Sequence, residues 1–231
     1  MELSNFAHYF LNIDVIIETF PALLKGLWLN VQIAVFSLAG GLTLGAVLAV
    51  IRVTLKRKET PWYYKIFNAP LGLYVDGFRA IPPLVALIII YYALPYLGLS
   101  IPRFWAAVLT FIAILSAFAS EIFRAGIESI PKEQSEASRA IGLSYVQSMI
   151  YVILPQGIRI SMPPLTSRMV SVTKDVALAS VIGVADLLKE ARSAQSFLAS
   201  PTPLILAAVM FIIFFFPFVR LANWFEYRWK Q

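Results

Sequence analysis

Long hydrophobic stretches alternate with short charged ones along this chain. No charged residue occurs from Gly26 to Ile51, and a helix of that length, at about 1.5 Å per residue, exceeds the roughly 30 Å hydrocarbon core of a bilayer. The pattern therefore predicts an all-α integral membrane protein with about five transmembrane helices. The other four predicted spans lie within residues 71–102, 104–124, 155–175 and 203–221.

The span predicted over residues 155–175 is the least hydrophobic of the five. It contains two adjacent prolines and several charged residues, and a helix that faces lipid does not carry such a composition. We expect protein or water to line this span, which makes it the best candidate for the wall of a translocation path. The candidate path residues are Glu121, Ser167, Arg168, Lys174 and Asp175.

Two of these residues have a competing structural interpretation. Glu121 lies three residues before Arg124, so the two side chains share a helix face, and pairing at the inner interface is favoured over a proton or substrate site. Arg168 has no acidic residue three or four positions away, so its charge must meet a group from elsewhere. That group is either a carboxylate of the substrate, which matches a planar guanidinium, or a structural partner such as Glu121 or backbone carbonyls.

Charged residues beside the spans predict the orientation of the chain. Four cations directly follow the first span: Arg52, Lys56, Arg57 and Lys58. Positive charge in short loops is typical of the cytoplasmic side. The amino terminus is therefore expected outside, with an interfacial amphipathic helix over residues 1–21, and the carboxyl terminus inside. A terminal group of aromatic and basic residues agrees with this, namely Arg220, Trp224, Tyr227, Arg228, Trp229 and Lys230.

Composition indicates a membrane protein with one domain, residues 1–231. Hydrophobic residues make up 59% of the chain and charged residues only 14%, against roughly 25% charged in soluble domains. The distribution of the formal net charge of +6 follows the membrane topology and does not indicate nucleic-acid binding. The chain has no cysteine, a single histidine at position 8 and no Gly-x-x-x-x-Gly-Lys-Ser/Thr phosphate loop. No metal, cofactor or ATP site is therefore expected in it, and an enzyme is improbable.

Three glycines of the first predicted span bear on how it packs against another helix. Gly40, Gly41 and Gly45 lie in the first span at spacings that let another helix approach closely, or that merely add flexibility.

Arg79 should lie at the cytoplasmic interface or meet a partner, since an arginine at the bilayer centre costs about 2.5–3.5 kcal/mol on insertion scales. Asp76 shares its helix face, and an interfacial anchor is favoured over a gating role.

The stretch between the third and fourth predicted spans, about residues 128–150, is too polar to cross a membrane, and we call it the polar loop. It predicts a helix from Lys132 to Ile141 that ends at Gly142, because glycine accepts the left-handed conformation that closes a helix. Ala137 and Ala140 give this helix a face of small side chains, which lets the backbone of another protein come close. A docking helix fits this pattern better than a buried one.

A second amphipathic segment, residues 143–152, follows the polar helix and leads to Leu154-Pro155. Proline lacks a backbone N–H and clashes with the preceding turn. A new helix start or a kink is therefore expected at Pro155.

The polar loop also carries the residues of a known family motif. Glu136-Ala137-Ser138, Gly142 and Ile153-Leu154-Pro155 resemble the EAA loop of membrane permease subunits of bacterial ABC importers. With Arg124-Ala125-Gly126-Ile127 and Gln134, the stretch is similar to the branch that takes up polar amino acids, the histidine, glutamine and arginine permease type. The resemblance implies the type I importer permease fold, in the bacterial inner membrane. It also implies that the loop helix is a coupling helix that docks on the ATPase through Gln134, Glu136, Ala137, Arg139, Ala140 and Gly142.

The resemblance further implies a set of partners. These are a dimeric ABC ATPase that would hold ATP and Mg²⁺, a second permease subunit that is identical or different, an extracytoplasmic solute-binding protein, and a small polar solute such as an amino acid. Lys174-Asp175 resembles the start of the family's Lys-Asp-Thr-Ser-Leu motif, but Val176-Ala177 stand where Thr and Ser are usual. Ser167-Arg168 replaces the more usual Asn followed by an acid or amide, so the identity of the solute stays open.

Two other classes of membrane protein compete with the importer subunit. One is a secondary transporter or channel driven by an ion gradient, which five spans without an obvious inverted repeat argue against. The other is a structural subunit of a larger complex. The charged fourth span disfavours it, because charge inside a membrane is rarely retained without use.

Overall fold

The computed structural model describes residues 10–55 and 62–229. Within these ranges every regular element is helical, as the all-α fold class predicted. The α-helices are α1 Ile13–Leu55, α2 Trp62–Ala80, α3 Pro83–Ala93, α4 Arg103–Glu128, α5 Lys132–Ala140, α6 Tyr145–Ser148, α7 Leu154–Asp175, α8 Leu187–Leu198 and α9 Thr202–Trp229. Two 3-10 helices, Leu94–Leu97 and Val176–Ile182, and a π-helix, Met149–Ile153, lie between them.

Three of these helices are long and apolar enough to cross a membrane, namely Ile13–Val53, Arg103–Glu128 and Thr202–Ala222. Parts of α2 and α3 pass the same test only as a pair that is bent at a break, so the count is up to four when this pair is taken as one broken span. Helix α7 has 22 residues, which is long enough to cross, but its polar composition keeps it out of this set. The count of five spans therefore stays a prediction.

Helix α1 is a single helix of 43 residues. The expected separation of an interfacial helix over residues 1–21 from the first span is wrong from Ile13 onward, because α1 runs without a break through Pro21. Its length, about 65 Å at about 1.5 Å per residue, is twice the thickness of a hydrocarbon core. Residues 1–9 of that predicted helix lie outside the described residues.

The chain forms two compact units, each assembled from separate stretches of sequence. The first unit comprises Met1–Ser37, Pro83–Phe111 and Val172–Arg220, and the second comprises Leu38–Pro82, Ile112–Ser171 and Leu221–Gln231. The prediction of one domain over residues 1–231 stays a prediction.

The core of the first unit is built around helix α8. Leu187 and Ala191 are fully buried on this helix and pack with Leu23 of α1 and with Ala207 and Met210 of α9. Leu187 and Ala191 are four residues apart and so share one face of α8. The 3-10 helix Val176–Ile182 precedes α8, whose apolar face is thus covered.

In the second unit, α1 and α4 cross at the glycines of the first span. A Cβ atom at Gly45 would lie 2.6 Å from the Cβ of Ala119 and 3.0 Å from the carbonyl oxygen of Ser116. A Cβ at Gly41 would lie 2.7 Å from the Cβ of Leu115. The helices approach more closely than any larger residue allows, so these glycines serve helix packing rather than flexibility.

Candidate functional site

The polar loop presents an almost entirely exposed helix, α5. All six residues predicted to contact an ATPase are exposed: Gln134, Glu136, Ala137, Arg139, Ala140 and Gly142. Ser138 is the buried residue of this helix. A helix that is polar around most of its circumference has little to bury within its own chain. The surface of α5 is therefore available to another protein.

Both ends of the turn after α5 are fixed by local hydrogen bonds. Gly142 has φ +92°, and its N–H donates to the carbonyl of Arg139, while the N–H of Leu143 donates to that of Ser138. This pair of bonds is the Schellman arrangement that closes a helix on a left-handed residue. The predicted helix end is confirmed to within one residue, since Ile141 is the cap.

Helix α6 begins immediately after this turn with a capping box. The N–H of Ser144 donates to Oε1 of Gln147 at 2.9 Å, and the N–H of Gln147 donates to Oγ of Ser144 at 3.3 Å. Each side chain thereby satisfies a backbone donor that the helix start would leave unpaired. The turn from α5 to α6 is consequently held at both sides and can transmit a displacement of α5.

A buried serine pair and an apolar cluster anchor the polar loop to the second unit. The hydroxyls of Ser138 and Ser148 hydrogen-bond to each other, and both residues are buried. Ile127, Ile130 and Ile153 form a small core, and Met149 and Val152 pack against it. The loop therefore has one anchored side and one exposed side.

The structure has a new α-helix start at Pro155, which is one of the two alternatives that the sequence predicts. The π-helix Met149–Ile153 runs directly into α7, whose second residue is Pro155. At the start of an α-helix a missing N–H costs little, and the wider π turn relaxes the backbone just before it. Proline thus follows a change in helix type.

Glu121 is the centre of an ion-pair cluster that joins three helices of the second unit. Its Oε2 lies 2.9 Å from Nη1 of Arg52 on α1 and 3.9 Å from Nη1 of Arg79 on α2. On α4 itself, Arg124 binds both oxygens of Glu121 and also donates to Oε2 of Glu128 at 2.6 Å. The predicted pair of Glu121 with Arg124 is present. The contacts to Arg52 and Arg79 were not predicted, because 69 residues separate Glu121 from Arg52.

Arg79 also has the partner on its own helix that the sequence suggested. Its Nη1 lies 3.7 Å from Oδ1 of Asp76. Its side chain is 37% exposed and lies next to the break between α2 and α3, and the anchor at the cytoplasmic interface stays a prediction. Arg79 nonetheless faces the same group of charges as Glu121.

Arg168 contacts the ring of Phe118, which lies one helical turn before Glu121 on α4. The Cζ atom of Arg168 lies 3.6 Å from the centre of the Phe118 ring, and Cζ of Arg79 lies 5.8 Å from it. Both distances fall within the range of cation–π attraction. The structure therefore groups Arg168 with Arg79 and Glu121, a combination that sequence spacing does not reveal.

The other predicted path residues divide between the two units. Ser167 is exposed on α7 in the second unit, beside Arg168. Lys174 and Asp175, in the last turn of α7, belong to the first unit. Of the five candidates, Glu121 and Arg168 are thus the two that the structure brings to one cluster.

Sequence reasoning missed a buried pair in the first unit, Asn30 and Asp186. Oδ2 of Asp186 accepts from Nδ2 of Asn30 at 3.3 Å, Oδ1 accepts from the N–H of Lys189, and Oδ1 of Asn30 accepts from the N–H of Leu187. Burial raises the pKa of Asp186 to about 6, against the hydrogen bonds that lower it. An aspartate just before a helix is a known N-cap signal, but no sequence signal identifies Asn30, 156 residues away, as its partner.

Several predicted features lie outside what the structure describes. These are Lys56, Arg57, Lys58, Lys230 and the side chains of Tyr227, Arg228 and Trp229. Among the described residues, no group of three or more His, Asp and Glu side chains could hold a metal ion.

Comparisons with known proteins place these features in context. The chain matches the family model described as binding-protein-dependent transport system inner membrane component over residues 41–231. It is 33% identical over 205 residues to the arginine transport system permease protein ArtQ of Bacillus subtilis (strain 168), covering 88% of this chain and 90% of that protein. It is 36% identical over 180 residues to the L-cystine transport system permease protein TcyB of the same organism, covering 78% and 74%. A chain in a crystal structure of an amino acid ABC transporter with histidines is 30% identical, with a TM-score of 0.81 over 92% of this chain and 96% of that chain.

Proposed function

The chain belongs to the family of binding-protein-dependent transport system inner membrane components, and from this premise we propose that it carries an amino acid inward, driven by ATP that a separate ATPase subunit hydrolyses. It is a multi-pass permease subunit of an ABC importer. The amino terminus lies outside and the carboxyl terminus in the cytoplasm, on the side of the polar loop. ATP and Mg²⁺ bind on the ATPase, so this chain needs no cofactor of its own.

The exposed, doubly capped helix α5 is the observation that carries the proposal. An ATPase that closes and opens with its nucleotide can drive a permease only through a contact that moves as a rigid piece. Helix α5 offers Gln134, Glu136 and Arg139 as polar contacts, and Ala137 and Ala140 as places where the ATPase backbone can approach. The Schellman turn and the capping box pass the movement on to α6 and α7.

A second permease subunit, identical or different, completes the membrane part. Ile160, Pro164 and Ser167 are exposed on α7 at spacings of four and three residues, so they form one stripe along this helix. A stripe that holds a hydroxyl beside an arginine does not face lipid at low cost. A second subunit covers one side of this stripe, and the transported solute passes along it.

The solute is an amino acid that an extracytoplasmic solute-binding protein delivers. Relatives named for arginine and cystine transport support the class of solute, as does the family, whose description names the dependence on a binding protein. These two amino acids differ in side chain and share the α-amino and α-carboxyl groups. The shared part of the solute is therefore the part that a common permease fold can recognise.

Reconstitution tests the proposal directly. Vesicles that contain the purified chain, its ATPase and its solute-binding protein should accumulate a radiolabelled amino acid only when ATP is present on the side of the membrane where the ATPase lies. Omitting the ATPase should abolish uptake. Uptake driven by a proton or sodium gradient without the ATPase would overturn the proposal in favour of a secondary transporter.

A further inference from the structure

An open cleft of about 450 Å³ lies in the first unit, between α1 and the start of α8. One of its walls is a single face of α1 that runs from Glu18 through Ala22 to Lys25, at spacings of four and three residues. The other wall is formed by Ala185, just before α8, and by Glu190 on α8. Its volume is within the range of small-molecule sites, about 300–1,000 Å³. We call it the α1–α8 cleft.

The two walls of the cleft are held together at Gly26, which also lines it. A Cβ atom at Gly26 would lie 2.7 Å from the carbonyl carbon of Asp186 and 2.7 Å from the nitrogen of Leu187, so α1 touches the backbone where α8 begins. One turn further along α1, Asn30 hydrogen-bonds to Oδ2 of Asp186 at 3.3 Å and to the N–H of Leu187 at 3.1 Å. These contacts fix the spacing of the walls. A cleft that is already formed loses less conformational freedom when a ligand binds.

Three charged side chains line the cleft, those of Glu18, Lys25 and Glu190. Glu18 and Lys25 are exposed, and Glu190 is half-buried. Within the described part of the chain, none of these three side chains makes a hydrogen bond or an ion pair. Two carboxylates and one ammonium group leave one negative charge in excess. The complementary ligand therefore carries charges of both signs, with one positive charge in excess.

A basic amino acid has this set of charges. Its carboxylate suits the ammonium group of Lys25, and its α-ammonium group and its side-chain cation each suit one carboxylate. Glu18 and Lys25 are seven residues apart, which is about 10.5 Å along the helix axis. The flexible side chain of a basic amino acid can therefore extend along α1 while its carboxylate stays at Lys25. A concave surface strengthens such pairing, because low-dielectric walls focus the field of the charges that line them.

We propose that the α1–α8 cleft binds a basic amino acid as the transported solute, with Lys25 as the ligand of its carboxylate and with Glu18 and Glu190 as the ligands of its two cationic groups. This rests on the proposed function, because it assumes an amino acid as solute, and it adds the class of side chain. Lys25 and one carboxylate bind the groups that all amino acids share, and the second carboxylate selects the basic side chain. In the proposed orientation the amino-terminal part of α1 lies outside, on the side from which the solute arrives.

Direct binding to the permease tests the cleft, and the solute-binding protein must be left out because it recognises the solute as well. The purified chain in complex with its ATPase, in lipid nanodiscs, is titrated with L-arginine and L-lysine, with their neutral analogues L-citrulline and L-norleucine, and with the α-amide of each basic amino acid. We expect at least one of the two basic amino acids to bind saturably. Its neutral analogue and its α-amide should each bind at least about tenfold more weakly, as for a lost charge-assisted pair.

Three variants and a control separate the roles of the lining residues. The double change Glu18→Gln with Glu190→Gln should reduce the preference for the basic amino acid over its neutral analogue to less than about threefold. Lys25→Gln should instead reduce the preference for the carboxylate over the α-amide. Ala22→Trp fills the cleft without a change in charge and should abolish saturable binding. Asp14→Asn removes an exposed acid of α1 that does not line the cleft, and it should keep both preferences.

Monodisperse elution shows that each variant is folded, and if the double variant is not, Lys25→Gln and Ala22→Trp decide. The site would be overturned if neither basic amino acid bound the wild-type complex, if the double variant kept the full preference, or if Ala22→Trp bound as wild type does. ATP-driven uptake of radiolabelled amino acids is measured on the same preparations. If uptake is found together with any of these results, the importer function stands and only the assignment of the cleft is wrong. If no amino acid is taken up, the proposed function itself fails.

Discussion

Replacing Glu121 by glutamine should destabilise the protein far more than the same change seven residues along the helix. Glu121→Gln removes the negative charge that Arg52, Arg79 and Arg124 share. It leaves three like charges facing one another where three helices meet. The neutral amide keeps the shape of the side chain, so the effect reports the charge.

The size of the expected loss of stability follows from how exposed the side chains of the ion-pair cluster are. The side chains of Arg52, Glu121 and Arg124 are 12%, 21% and 20% exposed. Breaking a fully buried ion pair costs about 3–5 kcal/mol, and an exposed pair contributes about 0–1 kcal/mol. A partly exposed cluster lies between these limits, at about 2–3 kcal/mol. For a chain of this size that loss lowers the melting temperature by about 5–10 °C.

Thermal unfolding in detergent or nanodiscs measures the effect, and Glu128→Gln is the matched control. Glu128 pairs with Arg124 at the end of α4, and its side chain is 34% exposed, so its loss should lower the free energy of unfolding by less than about 1 kcal/mol. In a double-mutant cycle, Arg52→Gln should cost less in the Glu121→Gln background than in wild type. Equal melting temperatures for Glu121→Gln and wild type, or equal losses at the two glutamates, would refute the cluster.

Three further outcomes follow from the geometry. Gly142→Val forces a β-branched residue to φ +92°, which costs about 1–2 kcal/mol, and it should abolish solute-stimulated ATP hydrolysis while membrane insertion survives. Gly142→Asn should have a milder effect. Solute-stimulated ATP hydrolysis by the valine variant would contradict the role of the turn. Gly45→Val should cost about 1–3 kcal/mol by overpacking against Ala119, whereas Gly77→Val, with open space around it, should cost less than 1 kcal/mol in a melting assay. Since the pKa of Asp186 is about 6 in the fold and 3.8 ordinarily, its stabilising contribution is complete only well below pH 4 and is lost as the pH rises through 6. The stability of wild type relative to Asp186→Asn should therefore fall by about 2 kcal/mol between pH 4 and 7, and a difference that does not vary with pH would contradict this.

Local signals in the sequence were sufficient for the polar loop. Proline before a polar helix, two alanines three apart and a glycine at its end are all readable within about ten residues, and the structure places the helix end within one residue of the predicted position. The pair of Glu121 with Arg124 was predictable for the same reason, since i,i+3 spacing alone brings the two side chains together.

Contacts between residues far apart in the chain could not be predicted from the sequence. Arg52 meets Glu121, Arg168 meets Phe118, and Asn30 meets Asp186 only because whole helices pack in a particular register. Hydrophobic pattern gives the length of a helix and its exposed face, and it carries no information on which residue of a second helix lies opposite. The π-helix before Pro155 was missed because a π turn has no composition signal of its own.

Crosslinking from a single engineered cysteine tests most directly whether helix α5 couples this chain to an ATPase. The natural chain has no cysteine, so Ala137→Cys and the control Tyr96→Cys, a side chain 93% exposed in the 3-10 helix Leu94–Leu97, each carry one reactive site. In vesicles that contain the ATPase, Ala137→Cys should form a crosslink to the ATPase that blocks ATP-driven uptake, and Tyr96→Cys should form none. Absence of a crosslink from Ala137→Cys in actively transporting vesicles, or an equal crosslink from Tyr96→Cys, would contradict the assignment of α5 as the coupling helix.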